Sequence, residues 1–233
     1  MYESGFGRLI GVLISPRKTF EAIAARPTWV AALLAVLVVM AVVGYVSGGR
    51  TDWDDVMRGQ FAQSEQEIPP EMIEQQIAFM EKSGRLLSMF GGVGVAVYAL
   101  IAAALCLLAF RLLGSELDFV SSLAVTFYSL MPMIVAALLS LPVILSKPTL
   151  GFDDVSSGSF LASNLAVLAG EDTAPALRAL LASVDFFTLW NLALLIIGYR
   201  VVARVSGKTA GAVVIGLWLL TVAIKVGWTA AFT

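Results

Sequence analysis

Five apolar runs set the terms for this chain: Trp29–Val46, Leu87–Phe110, Phe119–Leu145, Phe186–Val202 and Ala210–Phe232, with charged loops between them. Each is about as long as the ~20 residues that carry a helix across a bilayer. Inside lipid the backbone must satisfy its own hydrogen bonds, so the runs read as helices. A membrane β-barrel would instead show segments of ~10 residues with alternating hydrophobicity, a pattern the runs lack. The expected fold class is all-α: an integral membrane bundle of five transmembrane helices plus amphipathic interfacial helices.

Charged residues make up 14% and apolar residues 59% of the 233 residues. A soluble domain typically carries ~25% charge, so a single membrane domain accounts for most of the chain. The organisation expected is a cytoplasmic amphipathic segment over residues 1–28, then a five-span membrane domain over 29–233 with outer loops 47–86 and 146–184. The sequence has no histidine and one cysteine, Cys106, within the second run. That leaves no His/Cys metal site and no histidine-based hydrolase chemistry. No catalytic residue, metal or cofactor is expected. No basic stripe suggests nucleic acid.

Basic residues beside the spans give the orientation. Arg8, Arg17, Lys18, Arg26, Arg111, Arg200, Arg204 and Lys208 fall on one side with four acidic residues. The two long loops, with Asp185 at the edge of the fourth span, hold six basic and thirteen acidic residues. The first side is therefore expected in the cytoplasm, with the N-terminus inside and the C-terminus outside. No signal-peptide pattern precedes the first span.

Ser15 reads as an N-cap and Pro16 as the first residue of a helix to about Ala25, with Phe20, Ile23 and Ala24 on one face. This amphipathic helix either lies on lipid or packs under the bundle. In the first outer loop, Thr51–Gln66 reads as an acidic helix ended by Pro69-Pro70. Glu71–Ser83 reads as a second helix, with Gly84 past its end and Met72, Ile73, Ile77 and Met80 along its apolar edge. Gly91, Gly92 and Gly94 allow close helix approach at the start of the second span. Pro132 and Pro142 are expected to bend the third. In the second outer loop, after the Ser156-Ser157-Gly158-Ser159 stretch, Phe160–Leu168 and Ala174–Val184 read as short interfacial or re-entrant helices.

A charge within a span is a functional candidate by default. Lys225 is the main one, at the level of Asn191 and within upward reach of Asp185. Three roles stay open for it: a tie to Asp185 or Asn191, snorkelling to the outer interface, or a transport site. Tyr98, Thr126, Tyr128, Ser129 and Ser140 are candidates to line a small polar cavity.

Several stretches then converge. Ser15-Pro16-Arg17-Lys18-Thr19-Phe20 and Pro27-Thr28-Trp29 lead into the first span. Gly114-Ser115-Glu116-Leu117-Asp118-Phe119 leads to Tyr128 and Pro132. Trp190-Asn191, Gly198 and Ser206-Gly207-Lys208 mark the last two spans. With five spans and an inner N-terminus, the chain resembles the prokaryotic branch of the Yip (Ypt/Rab-interacting protein) domain family. The resemblance implies a five-helix membrane protein without known catalysis. It makes Tyr128, Pro132, Trp190 and Gly198 structural positions. Eukaryotic members bind small Rab-type GTPases and carry a longer cytosolic N-terminal region that has no counterpart among residues 1–28, so the resemblance does not extend to small-GTPase binding here. The function expected is a non-enzymatic scaffold or adaptor in a bacterial inner membrane, engaging lipids and another membrane protein or a second copy. Arg17, Lys18, Arg200, Arg204 and Lys208 are its candidate inner contacts. The alternative is a component of a lipid or small-solute transport system that uses the Lys225 region and the bent third span.

Overall fold

The computed structural model describes residues 4–62, 68–157, 160–170 and 173–232. In chain order its helices are α1 (Gly5–Ile14), α2 (Pro16–Ala25), α3 (Val30–Gly48), α4 (Trp53–Ala62), α5 (Pro70–Ser88) and α6 (Gly91–Leu112). They continue as α7 (Phe119–Ser129), α8 (Met131–Ser146), α9 (Phe152–Ser156), α10 (Pro175–Ser183), α11 (Phe186–Val202) and α12 (Gly207–Phe232). Among the described residues no strand forms, and the chain is a helical membrane bundle. Four spans are long and apolar enough to cross a membrane: α3, α6, the α7–α8 pair and α12. The fifth expected span is α11, an apolar helix of 17 residues, shorter than these four.

The third span is two helices that meet at Leu130. Pro132 has no N–H, and Met133 N bonds Leu130 O at 2.9 Å. The carbonyl of Ser129 is thereby freed at depth, and Asn191 Nδ2 of α11 donates to it at 2.8 Å. Every residue from Ser121 to Pro132 is buried, so α7 is the central post of the bundle. Asp118 caps it, accepting from Ser121 N at 3.0 Å and Ser121 Oγ at 2.6 Å. Burial pushes the Asp118 carboxyl up, but the bonds from Ser121 outweigh that and hold it below its ordinary value.

Neighbours pack on α7 through small residues and hydroxyls. Ala96, Ala99, Ala103 and Cys106 form the buried stripe of α6, with a 3–4–3 spacing that follows one helical face. The Tyr199 hydroxyl of α11 lies 2.8 Å from Ser122 Oγ and 2.9 Å from Thr126 Oγ1. Ser122 Oγ in turn donates to Ala103 O of α6 at 2.7 Å. Phe110 stacks on the Tyr199 ring, with centroids 4.9 Å apart.

The front segment joins this core. Val12 of α1 and Phe20 and Ile23 of α2 are fully buried, so both helices pack against the bundle. Ala24 is exposed and Thr19 takes its place on the inner face. Ser15 makes no side-chain cap; its carbonyl accepts from Thr19 Oγ1 at 3.0 Å.

The two long loops are knitted together at the opposite end of the bundle. Asp52 N donates to Leu150 O at 2.9 Å, Leu150 N to Arg50 O at 2.8 Å, and Phe152 N to Asp55 Oδ2 at 2.7 Å. Arg58 joins α4 to α5 by binding Asp54 at 2.9 Å and Glu74 at 2.8 Å. The acidic helix expected over Thr51–Gln66 is α4, and residues 63–66 lie outside the described residues. The second helix does not stop before Gly84. It runs to Ser88, because the Trp53 ring fills the space where a Cβ on Gly84 would stand, 2.3 Å from Cε2. Ile77 is the buried centre of its edge, whereas Met72 is exposed.

Phe160–Leu168 is not a helix. Bends lead to a single 3-10 turn at Leu165–Leu168, because Leu165 N and Ser163 O bond Val184 and Phe186 at the start of α11. Gly158 and Ser159 lie outside the described residues. The second short helix forms as α10. The expected hydroxyl cavity does not form either: Tyr98 is 54% exposed, Tyr128 bonds Gly5 O at 3.0 Å, and Ser140 bonds its own helix.

The α7–α8 break gives a prediction. Asn191→Leu leaves Ser129 O without its donor in an apolar core, and should cost about 1–3 kcal/mol. Unfolding in mixed detergent micelles should show a lower midpoint than for the unsubstituted chain; an unchanged midpoint would mean another donor reaches that carbonyl.

Candidate functional site: an arginine groove beside α2

The turn between α11 and α12 places its arginines by unusual means. Ala203 ends α11, and Arg204 follows at φ 53°, the only positive-φ residue other than glycine among the described residues. Helices commonly end on such a left-handed residue, but it is usually Gly, since a Cβ there costs roughly 1–2 kcal/mol. Ser206 then caps α12, accepting from Thr209 N at 3.0 Å.

Across this turn lies α2, and Gly198 sets its position. A Cβ on Gly198 would stand 2.6 Å from Val125 Cγ1 and 2.9 Å from Phe20 Cε1. Glycine thus opens the notch that takes the Phe20 ring between α11 and α7. Arg17, one turn before Phe20, is carried to the same side as Arg200 and Arg204. The result is a groove of about 470 Å³ lined by Arg17, Glu21, Ile197, Arg200, Val201, Arg204 and Val205.

Glu21 is the single acid in that lining, and it is taken by Arg17 Nε at 3.0 Å. Among the described residues Arg200 and Arg204 make no ion pair. The groove is therefore cationic, with an apolar wall of Ile197, Val201 and Val205. Guanidinium groups match the planar, bidentate geometry of phosphate and carboxylate oxygens. An anionic headgroup with apolar chain beside it fits this chemistry.

The expected contact residues divide. Arg17, Arg200 and Arg204 come together, while Lys18 and Lys208 are exposed outside the groove lining. Arg8, expected on the same surface, is 3% exposed. Its guanidinium donates to Ala22 O at 3.1 Å, Arg26 O at 2.9 Å and Thr28 Oγ1 at 2.8 Å. It satisfies the carbonyl end of α2 and fixes the turn into α3. Arg111 closes its own loop through Leu117 O at 2.9 Å.

Lys225, Asp185 and Asn191 do not meet. Asp185 caps α11, accepting from Phe187 N at 2.9 Å and Thr188 N at 3.0 Å, and also binds Ser163. Asn191 is taken by Ser129 O. Lys225 is exposed on α12. Of the structural positions, Tyr128 and Pro132 are buried, and Trp190 meets Phe186 edge-on at 5.9 Å. Pro142 sits exposed inside α8, which continues past it. Sequence reasoning missed Tyr199 and Ser122. The available signal was a polar stripe at 4–3 spacing, Ser122, Thr126 and Ser129, on an otherwise apolar run.

Gly198→Val should overpack the Phe20 notch and cost about 1–3 kcal/mol. It should also loosen α2, so that limited trypsin digestion cuts faster at Arg17, Lys18 and Arg26; equal cutting rates would show that α2 is held without the notch. Searches of the curated proteins and of the solved structures return no match. The family model of the Yip1 domain matches residues 10–228, which takes in α2 to α11, most of α12 and the groove. The chain belongs to the Yip1 domain family.

Proposed function

We propose that this protein is a non-enzymatic membrane scaffold whose arginine groove engages the anionic headgroup of a membrane lipid, in the organisation or trafficking of a bacterial inner membrane. The N-terminal segment and the α11–α12 turn face the cytoplasm in this reading, and the long loops face outward. A second membrane protein or a second copy docks beside the lipid so held. The convergence of Arg17, Arg200 and Arg204 on one groove carries the reading. A basic residue near an anionic surface contributes about 1 kcal/mol, so two free guanidiniums amount to about a 30-fold preference for anionic over zwitterionic lipid.

Arg204 provides a clean test, since glycine suits its backbone better. Arg204→Gly relieves left-handed strain in the folded state and adds freedom to the unfolded chain, so stability should stay within about 1 kcal/mol. Its affinity for phosphatidylglycerol should fall about fivefold. Native mass spectrometry of the protein titrated with that lipid reads the affinity. Unchanged affinity in Arg204→Gly and Arg200→Gln alike would sink the proposal.

The break between α7 and α8 favours one other reading, a component of a lipid or solute transport system. Under it, Lys225→Met would abolish a flux in proteoliposomes without lowering thermal stability. A flux that survives the substitution removes that reading.

A further inference from the structure

A second groove lies at the other end of the bundle and is about twice as large, near 960 Å³. The end of α8, the turn after Phe160, α10 and α12 wall it. Three of its residues are basic: Lys147, Arg178 and Lys225. Lys147 is bound by the groove's carboxylate, Asp154. Arg178 Nη2 donates to Gly170 O at 2.8 Å. The Lys225 ammonium has no hydrogen bond or ion pair among the described residues. Apolar groups, among them Val143, Leu161 and Ala182, fill out the wall.

Depth fixes what such a cation meets. α12 begins at Gly207 beside Arg200, and Lys225 stands 18 residues further on, about 27 Å along the helix. The hydrocarbon core of a bilayer is ~30 Å thick. The arginine groove and Lys225 are therefore spaced to reach the headgroup layers of opposite leaflets. An unpaired ammonium beside an apolar wall at that depth selects an anion that carries a chain. Pockets of roughly 300–1,000 Å³ enclose small ligands, and this one has room for a headgroup with the upper part of a chain.

We propose that the groove walled by α8, α10 and α12 binds one anionic phospholipid, its phosphate against Lys225 and Arg178 and its upper chain along Val143, Leu161 and Ala182. This does not rest on lipid binding at the arginine groove, because different residues carry the two sites.

The test uses the full chain in detergent, titrated with phosphatidylglycerol and followed by native mass spectrometry. Lys225→Gln should weaken one bound lipid about fivefold, and the Lys225→Gln/Arg178→Gln pair should weaken it further. Lys225→Arg should restore it. Arg200→Gln/Arg204→Gly should leave this lipid in place, so failure at one groove is told apart from failure at the other. Ala182→Trp, which fills the apolar wall, should expel the lipid while every charge remains. Unchanged binding in Lys225→Gln overturns the proposal. So does equal affinity for phosphatidylcholine of the same chains, and so does full displacement by millimolar inorganic phosphate, which would mark a free-anion site.

Discussion

A helix buried on every side in a membrane protein must have each of its polar groups answered by a neighbour, since neither lipid nor packed side chains will hydrate them. α7 is such a helix, and it carries three hydroxyls along one stripe and a backbone break at its end. α11 answers both. Tyr199 closes on Ser122 and Thr126, and Asn191 closes on the Ser129 carbonyl. Two polar ties, eight residues apart on α11, fix its height and rotation against α7. Sliding α11 by one turn would unmake both ties at once, each costing about 1–3 kcal/mol as a buried unpaired group. The remaining polar atom on the stripe, Ser129 Oγ, is buried without a partner, and nothing in the packing accounts for it.

That registration propagates to the surface. With α11 fixed, Gly198 comes to lie against Val125 and leaves the notch that takes Phe20. Phe20 locks α2, and α2 delivers Arg17 to the turn where Arg200 and Arg204 stand. Arg8 closes the other end of α2 by capping its carbonyls. The groove is thus a consequence of the core: its position is decided by two polar ties and one missing Cβ some distance beneath it.

The spans, the break at Pro132 and the basic face were legible in the sequence because each rests on composition or a local backbone rule. What stayed hidden rests on tertiary pairing. Tyr199 in an apolar run reads as core, and only the opposed hydroxyls of α7 reveal it as a tie. Arg8 reads as surface because its partners are carbonyls, which leave no trace in sequence. By counting, Lys225 falls at the level of Asn191 and within upward reach of Asp185, yet Asp185 is already spent on the N–H groups that open its own helix. Phe160–Leu168 has the composition of a helix and loses to bonds with the start of α11.

The charges themselves separate into two kinds. Arg8 is buried with its guanidinium bonded to the Ala22 and Arg26 carbonyls and the Thr28 hydroxyl, and it is part of the fold. The groove arginines have no such task. The Arg17–Glu21 pair is 77% and 52% exposed at its side chains, and exposed pairs of this kind contribute little to stability. Arg204 occupies a backbone position that glycine would fill with less strain. A sequence that keeps a side chain where local structure disfavours it has set local and global preferences against each other, and such conflicts concentrate at sites selected for something other than stability. Folding does not explain an arginine at 204; the anionic headgroup proposed for the groove would.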